Sequence, residues 1–117
     1  MALNRPTSSL VRALAYAGTH DPEDIAIGVG EGRFQSWEGD ASTIVTEILL
    51  TPKRKTLHFF LAEGDLRELR VMLPMILHWG RQQGCTHASL VGRFGWLRSF
   101  VRDFGFREEA TLMGATL

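Results

Sequence analysis

Thr43-Ile-Val-Thr-Glu-Ile-Leu-Leu50, Thr56-Leu-His-Phe-Phe-Leu-Ala62 and Thr86-His-Ala-Ser-Leu-Val91 are three short runs rich in β-branched, aromatic and aliphatic residues. Such runs, bounded by turn residues, read as strands. Between the second and third the period changes from two to 3.6. Asp65 followed by Glu68 has the form of a capping box, and Leu66, Leu69, Leu73, Ile76 and Leu77 recur at helical spacing. Pro74 falls inside this pattern and predicts a kink or a broken turn, and Gly84 ends the helix. A strand, a helix and a second strand in that order predict a crossover, with Thr56–Ala62 and Thr86–Val91 parallel and the helix packed across them.

Working outward, Pro52-Lys53-Arg54-Lys55 is polar and separates the first two runs. Arg33–Trp37 is a further strand candidate before the turn Glu38-Gly39-Asp40, so the first three strands form an antiparallel meander. Upstream, Pro6–Ser9 opens a helix with Leu10, Val11, Leu14 and Ala17 on one face, and Gly18 stops it. Asp21-Pro22-Glu23-Asp24 opens a second, short helix whose Ile25 and Val29 share a face. Downstream, Gly92-Arg93-Phe94-Gly95 turns into a last helix carrying Trp96, Leu97, Phe100, Val101 and Phe104. Gly105 ends that helix, and Phe106–Leu117 is expected as a closing strand. The predicted order is α-α-β-β-β-α-β-α-β, an α/β (or α+β) fold with a mixed sheet and helices on its faces. One domain is expected over 1–117, with N-terminal helices in 1–32 and the sheet core in 33–117.

The chain has 117 residues, 44% of them hydrophobic and 22% charged, a balance that suits a folded core and argues against disorder. Thirteen basic and thirteen acidic residues cancel, which gives no electrostatic reason to expect nucleic acid or an anionic membrane. No apolar run reaches the ~20 residues of a membrane span. Met1–Leu10 lacks the apolar core of a signal peptide, so a cytoplasmic compartment is expected. The single cysteine, Cys85, makes no internal disulfide and fits no zinc spacing.

Several residues carry candidate chemistry. Glu47 interrupts an apolar strand, where a carboxylate serves either as a solvated face or as a general base. Glu63 and Asp65 sit where a strand gives way to a helix, the edge at which clefts form in open sheets; Asp65 reads first as an N-cap. Arg93, between two glycines at a strand-to-helix turn, presents a guanidinium fork suited to an anion. Gly28-Val29-Gly30-Glu31-Gly32 lacks the strand before and the helix after that a phosphate loop needs, and reads as a helix exit. The four histidines, His20, His58, His78 and His87, lack the convergent spacing of metal ligands, and no metal site is expected. Cys85 reads as a packing residue.

His78-Trp79-Gly80-Arg81-Gln82-Gln83-Gly84-Cys85 resembles the end of the central helix in GNAT-type N-acetyltransferases, and Phe104-Gly105-Phe106 resembles the close of the next helix. The resemblance covers about residues 33–117. Val45-Thr46-Glu47-Ile48, the stretch around Gly64-Asp65-Leu66, and Gly92–Trp96 are similar to small GNAT-like proteins encoded in tailed-phage and prophage genomes. The resemblance implies two central strands that splay apart, with a pantetheine arm between them. It also implies a loop whose N–H groups bind the coenzyme A pyrophosphate, which falls on Gly64, Asp65, Leu66 and Arg67. The small or polar residues of that motif are replaced at Gly64, Arg67 and Leu69, and Leu69 is expected to crowd the loop. The family's acid Tyr falls on Val101; the chain's single Tyr is Tyr16.

The reading that follows is a phage-type, non-enzymatic GNAT-like module that acts through a protein partner, on the virion or in the host cytoplasm. It takes no cofactor and allows a homo-oligomer. The alternative is an acetyl-CoA-dependent N-acyltransferase with Glu47 or Glu63 as base and Arg93 as anion contact.

Overall fold

The structure, a computed structural model, describes residues 18–91 and 100–117. The helix expected from Pro6, the Gly92–Gly95 turn with Arg93, and Trp96 and Leu97 lie outside the described residues, as does the Phe100 side chain.

Within them the order is α1 (Pro22–Gly30), β1 (Gln35–Glu38), β2 (Thr43–Thr51), β3 (Arg54–Glu63), α2 (Leu66–Gln82), β4 (His87–Leu90) and a 3-10 turn over Phe100–Phe104. The sheet order is β1-β2-β3-β4. β1–β2 and β2–β3 are antiparallel, and β3–β4 is parallel, as the crossover predicts.

The two faces of the sheet alternate along each strand, and each is covered by a helix. Ile44, Leu57 and Phe59 pack against Leu69, Leu73 and Ile76 of α2, while Val45 and Leu61 pack with Ile25 of α1 and Phe34. Close approach needs glycine at two places. A Cβ on Gly28 would overlap the Phe34 ring, and one on Gly80 would come within 2.7 Å of Leu57 Cδ2. The Gly28–Gly32 run therefore serves helix packing and the exit into β1.

Four expectations need correction. Leu66 is 62% exposed and lies outside the buried stripe, because it occupies the first turn, beyond the sheet. α2 runs unbroken through Pro74: this residue faces solvent, where water can take the Arg70 carbonyl that the missing N–H leaves free. The strand β3 starts at Arg54, so the hairpin turn is only Pro52-Lys53. Residues 106–117 form no strand. Arg107, Glu108 and Glu109 are consecutive charges, and Leu112 and Met113 are neighbours, which alternation sends to opposite faces; both stay exposed.

Candidate functional site

The register between β2 and β3 advances one residue from Val45 to Thr46 but two from Leu61 to Phe59, so Phe60 is the extra residue of a β-bulge. β4 pairs with β3 only from Thr56↔His87 to Phe59↔Leu90. From the bulge onward β3 continues to Glu63 with no β4 partner among the described residues.

Past Glu63, β3 leads to the N-terminus of α2, where Gly64, Asp65, Leu66 and Arg67 stand. Gly64 adopts φ 135°, and a Cβ there would overlap the Ala41 carbonyl oxygen and Ser42 Cα. This end of the helix is already occupied by the chain itself. Asp65 Oδ1 accepts from Glu68 N–H at 3.0 Å, the Asp65 carbonyl accepts from Leu69 N–H at 2.9 Å, and Asp65 N–H donates to Ser42 Oγ at 3.0 Å. The Glu68 carboxylate reaches back to the β1–β2 loop, accepting from Asp40 N–H at 2.7 Å and Ala41 N–H at 2.9 Å. The Ser42 hydroxyl first, then these N–H groups, hold the Glu68 carboxyl below its usual range. Leu66 and Arg67 supply the first-turn N–H groups that are left for an anion, and both residues are exposed. Leu69 is 2% exposed and points into the core, so it does not crowd this loop.

The two candidate bases are not brought together. Glu63 ends β3 opposite Thr43, whereas Glu47 lies in mid-β2 opposite His58. The two positions are five residues apart along β3, at roughly 3.3 Å per residue.

Sequence reasoning missed His58 and Ser89. His58 Nδ1 lies 2.8 Å from Ser89 Oγ, and Glu47 stands across the ladder. Burial lowers the basicity of His58, while the Glu47 charge opposes this in part. Of the other histidines, His87 Nε2 is 3.1 Å from Glu109 Oε1, and His20 packs edge-on to Phe34 and Phe60. No group of three or more metal-ligating side chains occurs among the described residues. Cys85 is half-buried against the α2 core. No helix among the described residues is long and apolar enough to cross a membrane.

Solved structures share this architecture. A probable acetyltransferase superposes with a TM-score of 0.66 at 12% identity, covering 92% of this chain and 85% of that one. A tetramutant of the BH1408 protein from Bacillus halodurans gives 0.65 at 16% identity over 91% and 85%. A point mutant of TTHA1254 from Thermus thermophilus gives 0.59 at 16% identity over 99% and 84%. No protein-family profile and no curated protein matches the chain. The fold is therefore acetyltransferase-like, a GNAT-like mixed sheet.

Proposed function

We propose that this chain uses an acetyltransferase-like fold without a coenzyme grip and works through contacts with a protein partner. One observation carries the reading: the N-terminus of α2 is capped by Asp65 and braced by Glu68, so two carboxylates stand where a pyrophosphate would be held. Like charge there opposes a diphosphate, and a helix terminus contributes only ~0.3–2 kcal/mol toward an anion. The strings similar to small phage-encoded proteins extend the reading to a virion or assembly component, or to a partner-binding protein of the host cytoplasm, with self-association as one mode. The neutral net charge speaks against nucleic acid and anionic membranes as partners.

Calorimetric titration with acetyl-CoA tests this. A dissociation constant above ~1 mM is expected, since millimolar binding already requires about 4 kcal/mol in total. Micromolar binding overturns the reading and restores acyl-CoA-dependent transfer, with Glu47 or Glu63 as base and Arg93 as anion contact. That second reading is favoured by the end of β3–β4 pairing at Phe59↔Leu90, beyond which a pantetheine arm would lie between the two strands.

A further inference from the structure

Glu47, His58 and Ser89 stand in a single row across β2, β3 and β4. Glu47 is the register partner of His58 in the antiparallel ladder, and His58 is the register partner of Ser89 in the parallel one. Residues directly opposite share a face of the sheet. This is the face that carries Val45, and α1 meets it through Ile25 and Val29 around Val45 and Leu61, further along the strands. All three members of the row are half-buried. A hydroxyl, an imidazole and a carboxylate in this order form the arrangement that activates an oxygen nucleophile.

We propose that Ser89 is an acyl-accepting nucleophile, with His58 as its general base and Glu47 as the positioning carboxylate, acting on small activated carboxylic esters or thioesters. Ser89 Oγ attacks the carbonyl carbon as its proton passes to His58 Nδ1, 2.8 Å away. This step uses the tautomer whose proton is on Nε2, which leaves Nδ1 to accept. The tetrahedral intermediate collapses by breaking the bond to the alkoxide or thiolate, which leaves with the proton from the imidazolium. Water then attacks the acyl group on Ser89, giving its proton to His58, and Ser89 Oγ recovers that proton as the carboxylic acid departs. The Glu47 charge favours the imidazolium formed in each half-reaction. Since burial keeps His58 neutral near pH 7, the base is in its competent form there. The other titratable groups on this face are His87 of β4, engaged with Glu109, Arg54 at the start of β3, Glu38 and Glu63 on either side of Thr43, and His20, which packs on Phe34 and Phe60. On α1, Asp24 turns its carboxylate to the Asp21 N–H. The site needs no pyrophosphate grip and is independent of the coenzyme reading.

A fluorophosphonate probe, followed by intact mass measurement and peptide mapping, tests the proposal on the full chain. A single adduct on Ser89 is expected at about pH 8, where a histidine base is neutral. Labelling should vanish in Ser89→Ala and slow by about a hundredfold in His58→Gln, the low end for a lost general base. Its rate should rise with pH to a plateau, with a midpoint below the ordinary histidine value, and Glu47→Gln should move that midpoint lower still. Circular dichroism of each variant separates lost folding from lost reactivity. His58→Asn, a smaller amide, serves in place of His58→Gln if the latter fails to fold. An unlabelled Ser89 in the native chain, or equal labelling in a folded His58 variant, overturns the proposal.

Discussion

Glu68 and His58 are both held, in the folded chain, in the form they carry at neutral pH. Glu68 is kept charged by hydrogen bonds from Ser42, Ala41 and Asp40, and His58 is kept neutral by burial. Both shifts are downward, so in each case the unfolded chain takes up its proton first as the pH falls. Stability therefore drops below about 6.5 until folded His58 is protonated, and drops again below about 4.5 until folded Glu68 is protonated. Urea denaturation across a pH series should show two descending windows. His58→Asn should flatten the upper one and Glu68→Gln the lower; unchanged slopes in either variant would remove the cause named for it. The Glu47–His58 pairing was within reach of the sequence. A two-residue turn at Pro52-Lys53 sets Thr51 opposite Arg54, and counting back four and forward four gives Glu47 opposite His58. Reading Arg54 and Lys55 as part of the break hid this register. Ser89 was not legible, because a crossover through a helix leaves the register of a parallel strand open.

At the scale of elements, α2 and its junction with β3 govern the candidate site. The apolar spacing of α2, its Asp65 cap and its stop at Gly84 follow from local chemistry and were legible. The brace from Glu68 to the β1–β2 loop was not, since it joins residues 27 and 28 positions apart. Gly64 is the hinge of that arrangement. Its φ of 135° disfavours any side chain, and the Ala41–Ser42 backbone fills the space a Cβ would need. Gly64→Ala should destabilise the fold by at least ~1–3 kcal/mol, the range for a residue forced into a sparse backbone region. Chemical denaturation measures this, and a loss below ~0.5 kcal/mol would mean that the loop shifts freely. The bulge at Phe60 belongs to the same scale. It costs a ladder position between β2 and β3, and left no mark in a run that reads as a continuous apolar strand.

For the whole molecule, the decisive quantity is how much a ligand stabilises the native state. A ligand that binds only the folded chain adds RT ln(1 + [L]/Kd). With acetyl-CoA at about 1 mM and a Kd near 1 mM, this amounts to ~0.4 kcal/mol. With a Kd near 10 μM it amounts to ~2.7 kcal/mol. For a chain of 117 residues, 1 kcal/mol moves Tm by roughly 3–6 °C. Weak binding thus predicts a shift of no more than about 1–3 °C, and a functional coenzyme site predicts about 8–16 °C. The difference exceeds the uncertainty of the conversion, so a thermal melt with and without acetyl-CoA separates the two readings of the fold. On the proposed reading the small shift is expected: Asp65 and Glu68 put two carboxylates at the α2 N-terminus, where the resemblance puts a coenzyme diphosphate. Replacing both by their amides removes that repulsion while leaving oxygen acceptors for the same N–H groups. If charge is what excludes the coenzyme, the double variant Asp65→Asn, Glu68→Gln should show a larger acetyl-CoA shift than the native chain. If the shift stays small in the folded double variant, the exclusion lies in the shape of the loop around Gly64.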